Sequence, residues 1–179
     1  TKNSKFRFFF FYYTQTIQTA TEFRQTIRQL SEQAQTPNEK FYILFALFRA
    51  FDNVSNKKMA IEAAEQAFAL ENVDDTDTVA RFYWHLINFY SNGGQKEEAK
   101  TALRQLESLL PKISPALKTS HFYIRLGRYY NNLNDPVQSL NHLETAVSLA
   151  EIEDSPVSKC QAQMMLGLLF HQLQQNESA

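Results

Sequence analysis

The sequence predicts an all-α fold, a right-handed α-solenoid built from antiparallel helical hairpins, and three observations carry this prediction. A small residue recurs every 39 or 40 positions, at Ala20, Ala60, Ala99, Ser139 and Ala179. Thirteen residues before the later copies stands a leucine, followed four residues on by an aromatic: Leu47 and Phe51, Leu86 and Tyr90, Leu126 and Tyr130, Leu166 and Phe170. The 4 glycines and 5 prolines leave little room for the tight turns of an all-β fold. A repeat of this length is typical of stacked units that bury their apolar faces against their neighbours.

Within one unit the apolar residues follow helical spacing. Phe82, Leu86 and Tyr90 recur at i, i+4 and i+8 and therefore share one face of a helix. A polar break at 91–94 follows, and a second helix then places Ala99, Ala102, Leu103 and Leu106 on one face. Each unit is therefore predicted to be a helical hairpin. We expect the core to contain Leu47, Phe51, Leu86, Tyr90, Leu126, Tyr130, Leu143 and Ala146.

Proline placement supports the predicted helix boundaries. Pro37, Pro115, Pro136 and Pro156 each follow Thr, Ser or Asp. These residue types cap helix N-termini well, and proline suits the first helical position because its missing N–H would have no partner there. The predicted helices are 5–13, 16–34, 38–52, 57–70, 76–91, 95–110, 115–131, 136–151 and 156–173.

Composition bounds the class of protein. The 179 residues are 44% hydrophobic and 21% charged, which is typical of a globular chain. The net charge of −1 argues against a nucleic-acid partner. The single Cys160 excludes an internal disulfide framework and a cysteine-rich zinc site, and we expect it to be a small core residue. No apolar run reaches the length of a membrane helix, so no membrane contact is expected, and both cytoplasm and periplasm stay open.

We expect residues 1–179 to form a single solenoid with units at roughly 1–35, 36–74, 75–114, 115–154 and an incomplete 155–179. The apolar stretch 6–13 is predicted to be a buried helix of the first unit. Helix 156–173 carries Met164, Met165, Leu168, Leu169 and Leu173, more apolar surface than one neighbouring hairpin covers. This surface predicts either self-association through the C-terminal helix or a longer parent chain whose next helix covers it.

The chain resembles the tetratricopeptide repeat (TPR) family. The best match to the family pattern is Leu126-Gly127, Tyr130, Ser139, Leu143 and Ala146. Phe48 and Ile87 replace the glycine in two units, so we expect wider helix packing there. The units exceed the usual 34 residues by roughly six. Units of this length are similar to those of bacterial peptide-sensing regulators, and of sensory segments that precede diguanylate cyclase or histidine kinase modules.

The resemblance implies that the first helix of each hairpin lines a concave binding groove. The implied ligand-binding residues are Arg49, Asn53, Arg81, His85, Asn88, Asn92, His121, Arg125, Arg128 and Asn132. The same mapping places Gln161, Met165, Leu168 and Gln172 in the groove of the last unit. Arg81, Arg125 and Arg128 come from adjacent hairpins and could converge on one acidic group.

Structural explanations stand beside these functional ones. Asn53, Asn92 and Asn132 form a ladder with the period of the repeat, and asparagine also tolerates the left-handed conformation that ends helices. The arginines could equally lie on a solvated face or pair with Asp52. The functional alternatives are amides that hold the backbone of an extended peptide and guanidinium groups that recognise a carboxylate.

Catalytic constellations are not evident in the sequence. The four histidines show no zinc-ligand spacing, and Val79 and His85 stand where a calcium loop at Asp74 would need glycine and glutamate. The acidic residues 74, 75 and 77 are instead typical of a helix N-terminus, and Gly93-Gly94 is typical of a turn between helices. We therefore expect no enzyme activity, no cofactor and no metal site.

The expected function is non-catalytic binding of a peptide or protein segment, possibly an acidic one. The module would be the sensory or scaffolding segment of a larger bacterial signalling or regulatory protein. Two alternatives stay open: the peptide-sensing domain of a transcriptional regulator, and a constitutive structural assembly subunit.

Overall fold

The computed structural model describes residues 25, 29, 30, 33–53 and 55–177. These residues form seven α-helices and no strand: α1 Pro37–Asn53, α2 Lys57–Phe68, α3 Thr76–Asn92, α4 Lys96–Leu109, α5 Ser120–Asn132, α6 Pro136–Ile152 and α7 Pro156–Glu177. The all-α prediction is confirmed. None of the helices in this part of the chain has both the length and the hydropathy of a membrane span.

The chain divides into two compact units, one ending at Glu107 and one beginning at Ser108. In the first unit α1 packs against α2 and contacts α3. In the second unit α5 packs against α6, and α7 packs against both of them. The right-handed superhelix over the whole chain stays a prediction, as does its division into five units.

The predicted helix boundaries agree closely with the structure except in α5 and α7. Helix α5 was expected from residue 115 but begins at Ser120. Pro115 lies in a turn instead, where the Lys118 amide donates to the Pro115 carbonyl at 3.1 Å. The N-cap is Thr119, whose hydroxyl accepts the Phe122 amide at 3.2 Å. Helix α7 runs four residues beyond the predicted end at 173. The predicted helix 5–13 lies outside the described residues. Of the five described residues of 16–34, residues 25, 29, 30 and 33 are helical and residue 34 is not.

The glutamate at the turn after α6 reinforces this late start of α5. The Glu153 carboxylate accepts the backbone N–H of Ser120 at 2.8 Å and also its hydroxyl. A carboxylate at a helix N-terminus satisfies otherwise unpaired N–H groups and interacts favourably with the helix dipole. The start of α5 is therefore tied to the α6–α7 turn, which fixes the register of the helix that carries the candidate site.

Other cap predictions are confirmed. Pro37, Pro136 and Pro156 each stand at the first position of a helix. Asp75 caps α3, since its carboxylate accepts the Thr78 amide at 3.0 Å. The acidic cluster at 74–77 thus begins a helix, as expected.

Four of the helix connections are three-residue turns of one kind. Their second residue has a left-handed backbone: Ser55, Gly94, Asn134 and Asp154, with φ of 57°, 75°, 58° and 49°. The next residue donates its N–H back to a carbonyl five positions earlier, for example Asp135 to Tyr130 at 2.9 Å. This is the Schellman arrangement, which satisfies carbonyls at a helix end. In three of the turns the donating residue, Asn56, Asp135 or Ser155, also accepts an amide of the following helix, so three residues close one helix and open the next.

The core of the first unit sets aromatic rings against alanines. Phe48 and Phe51 of α1 are fully buried, and so are Ala60 and Ala63 of α2. Phe48 also lies edge-on to Phe82 of α3, with ring centroids 5.2 Å apart. The buried residues of α2 are mostly alanines, whose small size suits a helix packed against α1 with the large Phe48 ring, at a position where the TPR pattern has glycine. The wider packing expected there stays a prediction.

The core of the second unit depends on small residues. Gly127 is buried, and a Cβ built on it would lie 2.5 Å from Leu143 Cγ. The Ser139 hydroxyl donates to the Gly127 carbonyl at 2.8 Å. Leu143 and Ala146 are fully buried beside them. The Leu-Gly and small-residue pattern therefore marks a close approach between α5 and α6.

Most of the predicted core is confirmed. Leu47, Phe51, Leu86, Leu126, Tyr130, Leu143 and Ala146 are buried. Tyr90 is only half-buried, because it lines an open cleft beside α4. Cys160 was expected to be a core residue and is exposed, because it lies on a face of α7 that its neighbours do not cover.

The two glycines of the Leu-Gly pairs give a matched stability test. Gly127→Ala should destabilise the fold by about 1–3 kcal/mol through overpacking against Leu143. Gly167 has no atom within 4 Å of a built Cβ, so Gly167→Ala should stabilise by up to about 1 kcal/mol through helix propensity. Urea denaturation followed by circular dichroism measures both. Equal effects of the two substitutions would contradict the close approach at Gly127.

Candidate binding site

Three basic or titratable side chains share one face of α5. His121, Arg125 and Arg128 stand at i, i+4 and i+7, so they are neighbours along the helix surface. His121 and Arg128 are exposed and Arg125 is half-buried. We call these three residues the basic stripe. All three are among the site residues expected from the sequence.

The pKa of His121 reports the electrostatic environment of the basic stripe. Its pKa is lowered below the ordinary value of 6.5, first by partial burial and then by the positive charges of Arg125 and Arg128. The two guanidinium groups therefore act on the imidazole through space. At neutral pH His121 is uncharged, and an anion placed beside it would favour its protonation. The stripe is thus suited to a negatively charged ligand.

Arg128 lies against an aromatic ring. Its Cζ atom is 5.9 Å from the ring centroid of Tyr129, within the range of a cation–π contact. Burial raises the pKa of the Tyr129 hydroxyl, although the charge of Arg128 acts in the opposite direction. No carboxylate among the described residues forms an ion pair with Arg128. The Arg128 guanidinium therefore lies against a ring, and its N–H groups that are not bonded to Tyr129 can donate to an anion.

A cleft of about 540 Å³ opens beside the last residue of α5. Five carboxamide side chains line it: Asn131, Asn132, Asn134, Gln172 and Gln175. Leu169, Leu173 and Pro136 add apolar surface. We call this the amide cleft. Asn132 and Gln172 lie 40 residues apart in sequence and line the same cleft, so equivalent positions of two successive repeats meet here.

The amide cleft adjoins the basic stripe, because Arg128 and Asn132 are i and i+4 on α5. Carboxamides both donate and accept hydrogen bonds, as peptide groups do. The combined surface can therefore bind a peptide backbone and a nearby negative charge. Among the described residues no group of three His, Cys, Asp or Glu side chains is arranged to hold a metal ion.

The asparagine ladder is not explained by helix termination. Asn53, Asn92 and Asn132 are each the last residue of a helix and are exposed. The left-handed residues are Ser55, Gly94 and Asn134, two positions later. The interpretation that the ladder supplies the left-handed conformation is therefore wrong, because other residues perform that task. A ligand-binding role for the ladder stays a prediction.

The candidates in the first unit have contacts of their own. The Cζ atom of Arg49 lies 6.0 Å from the Phe45 ring centroid, and the half-buried His85 ring lies 5.4 Å from the same ring. Asn88 donates its amide to the Trp84 carbonyl at 3.2 Å, so part of its hydrogen-bonding capacity is used within α3. Arg81 is exposed.

Pairing of the arginines with Asp52 was one open interpretation. Burial raises the pKa of Asp52, the direction opposite to that produced by a neighbouring guanidinium. No described arginine forms an ion pair with it, so this interpretation is wrong for the described part of the chain. Arg81 belongs to the first unit, while Arg125 and Arg128 belong to the second. Their convergence on one acidic group stays a prediction.

Sequence reasoning missed Asn131, Asn134 and Gln175, which complete the amide cleft. A signal was present, because amides are dense at 131–134 and at 172–176. The repeat mapping assigned only one residue per turn to the groove. Asn131 precedes Asn132 on α5, and the short turn after α5 adds Asn134.

No family model matches the sequence, and no curated protein matches it significantly. The crystal structure of BtubC (BKLC) from P. vanneervenii has a similar fold, with a TM-score of 0.68 and 18% sequence identity. The match covers 84% of this chain and 63% of the BtubC chain. At this identity the similarity concerns the fold alone. The chain spans less than two thirds of the length of that protein.

The His121 pKa gives a direct test of the basic stripe. An NMR titration of the imidazole should have its midpoint below 6.5, since burial and two cations oppose protonation. Arg128→Gln should raise this midpoint, whereas Arg104→Gln in the first unit should leave it unchanged. Because the folded-state pKa of His121 is lowered, its contribution to stability is present above pH 6.5 and is lost as the pH falls from this value through the lower folded-state pKa. A midpoint that does not respond to Arg128→Gln would contradict the arrangement.

Proposed function

We propose that this chain is a non-catalytic, TPR-like binding module, and that its second unit binds a peptide segment carrying a carboxylate. The observation that carries the proposal is the amide cleft beside the basic stripe. The carboxylate belongs either to an acidic side chain or to the C-terminus of the peptide. Both sources share the chemistry that the stripe recognises.

The size and lining of the amide cleft suit a short extended peptide. Its volume of about 540 Å³ falls within the ordinary range of ligand sites. Amides from α5, the α5–α6 turn and α7 offer donors and acceptors to successive peptide groups. Leu169 and Leu173 offer apolar surface to a peptide side chain.

The charge arrangement supplies the preference for an anion. Arg128 is held against Tyr129, which reduces the conformational entropy lost when it engages a ligand. Arg125 adds positive potential on the same face. Protonation of His121 should accompany binding, since a carboxylate raises the pKa of a neighbouring imidazole.

The wider context is proposed from the TPR resemblance and the length of the repeat. A module of this kind would act as the sensory or scaffolding segment of a larger bacterial signalling or regulatory protein. The peptide-sensing domain of a transcriptional regulator would use the same site in the same manner. The similar fold of BtubC supports the architecture that this proposal needs.

Peptide selection tests the binding function. A random peptide display library, presented with free or amidated C-termini, should yield binders enriched in acidic residues or dependent on the free carboxylate. Arg128→Ala should weaken a selected peptide by about 10- to 100-fold, as expected for a charge-assisted contact. Asn132→Ala should weaken it by about fivefold, as expected for a neutral hydrogen bond. Isothermal titration calorimetry measures both.

Two exposed residues outside the site are matched controls. Arg104→Ala on α4 and Asn141→Ala on α6 remove the same side-chain types and should leave the affinity unchanged. Selected peptides without a carboxylate preference, or equal losses in the control variants, would contradict the proposal.

A second candidate function, an assembly subunit, is favoured by one face of α7. Met164, Gly167 and Phe170 are exposed on this helix. The equivalent residues of α5, forty positions earlier, are Ile124, Gly127 and Tyr130, and all three are buried. A face that α6 covers on α5 is thus open on α7. Self-association through α7 would cover it with a second copy of the chain.

Sedimentation velocity tests this second candidate. The unaltered chain should form dimers whose fraction rises with concentration, because burial of Met164, Leu168 and Phe170 is favourable. Met164→Glu should shift the equilibrium to monomer by placing a charge in the contact. Val137→Glu, which adds the same charge at an exposed apolar position of α6, is the control. An unaltered chain that stays monomeric throughout would exclude α7 self-association.

A further inference from the structure

A second cleft lies wholly within the first unit, between the end of α2, helix α3 and helix α4. Its volume is about 670 Å³, and its lining includes Phe68, Tyr83, Tyr90, Glu97, Glu98 and Ala102. We call it the aromatic cleft. It is separate from the basic stripe and the amide cleft, which belong to the second unit.

The rings of the cleft are held in place by stacking. Phe68 stacks on Tyr83, with ring centroids 5.2 Å apart and planes 26° apart. It also stacks on the buried Phe82 at 5.1 Å. Phe68 nevertheless stays 44% exposed, an unusual state for a phenylalanine packed against two rings. An ordered aromatic surface is thus presented to solvent.

The rim of the cleft is acidic. The carboxylates of Glu98 and Glu65 raise the pKa of the Tyr90 hydroxyl, in addition to the larger effect of burial. Both carboxylates therefore act on the ring that forms one wall. The Glu97 carboxylate forms an ion pair with Lys100 on the same helix, with an O–N distance of 2.9 Å. Lys100 therefore partly neutralises the charge of Glu97. Glu98 is left as the carboxylate that lines the cleft and acts on Tyr90.

In the second unit, a side chain of the protein itself fills the position equivalent to the aromatic cleft. Forty residues after Tyr83, Tyr90 and Ala102 stand Tyr123, Tyr130 and His142. The His142 ring stacks on Tyr130, with centroids 5.3 Å apart and planes 20° apart, and lies 6.0 Å from Tyr123. A planar nitrogen-containing ring of the chain therefore stacks on one of the two tyrosines and lies near the other. In the first unit alanine stands at that position, and the space is open.

A further difference concerns charge. Glu98 of the first unit corresponds to the neutral Gln138 of the second. The open cleft thus combines a π surface with a carboxylate, and the filled arrangement lacks the carboxylate. A π face and a negative charge both favour a cation, and a flat cation stacks on a ring while pairing with a carboxylate.

We propose that the aromatic cleft binds the guanidinium group of an arginine side chain from a protein or peptide partner. The guanidinium stacks on the rings of Tyr90, Tyr83 or Phe68 and pairs with Glu98. Arginine fits better than lysine, because its charged group is planar and less strongly hydrated. The partner surface is therefore basic, in contrast to the acidic segment proposed for the second unit.

The test uses the full chain and the capped tripeptide acetyl-Gly-Arg-Gly-amide, followed by NMR. Addition of the peptide should shift the ring signals of Phe68, Tyr83 and Tyr90 and the backbone amide signal of Glu98. The same peptide with citrulline, which is planar but uncharged, should bind about tenfold more weakly. Absence of shifts at these residues, or equal binding of the citrulline peptide, would overturn the proposal.

Variants separate the two parts of the cleft. E98Q should weaken the arginine peptide by about tenfold, whereas the control E71Q, on an exposed residue outside the cleft, should have no effect. A102H should abolish binding, because it supplies the imidazole that fills the second unit. If A102H lowers the thermal midpoint measured by circular dichroism, its loss of binding could come from unfolding. The E98Q affinity then tests the proposal, because Glu98 is exposed and its substitution does not disturb the core. Unchanged affinity in E98Q would refute the role of the carboxylate.

Discussion

The second unit depends on the missing side chain of Gly127. Leu143 occupies the space that a Cβ would need, and the Ser139 hydroxyl bonds to the glycine carbonyl. These contacts bring α5 close to α6 and set the rotation of α5 about its axis. His121 and Arg128 of the basic stripe then lie on the solvent-exposed side of α5. The buried Ser139 hydroxyl has a hydrogen-bond partner within this contact, because it donates to a main-chain carbonyl. Its burial is therefore compensated.

The turns decide where the ends of the helices lie, and with them the amides. Each three-residue turn closes one helix through a left-handed residue and begins the next at once. Each ladder asparagine is the last residue of a helix and stands immediately before one of these turns. The asparagines therefore recur with the period of the repeat. In the second unit α7 packs on both α5 and α6, which brings Gln172 to the cleft that Asn132 lines. Repetition of the backbone thus brings side chains that are far apart in sequence into one cleft.

The repeat supplies the shape, and single residues supply the chemistry. Tyrosines stand at equivalent positions in both units, yet Ala102 leaves a cleft where His142 fills one. Glu98 gives that cleft a negative rim, while Arg125 and Arg128 give the surface of α5 a positive one. A chain of net charge −1 therefore presents two surfaces of opposite sign.

The sequence by itself determined the helices, most of their boundaries and nearly all of the predicted core. These features depend on the helical period and on caps within a few residues, which are local interactions. It also placed Arg128 and Asn132 on one helix face, because their spacing of four residues is close to one helical turn. Only the tertiary structure decided that α5 begins at Ser120, since Glu153 lies 33 residues away. The tertiary structure likewise decided that Tyr90 is half-exposed, that Cys160 is exposed, and that Asn132 and Gln172 line one cleft. Each depends on which faces are covered by helices distant in sequence, and a local pattern does not contain that information.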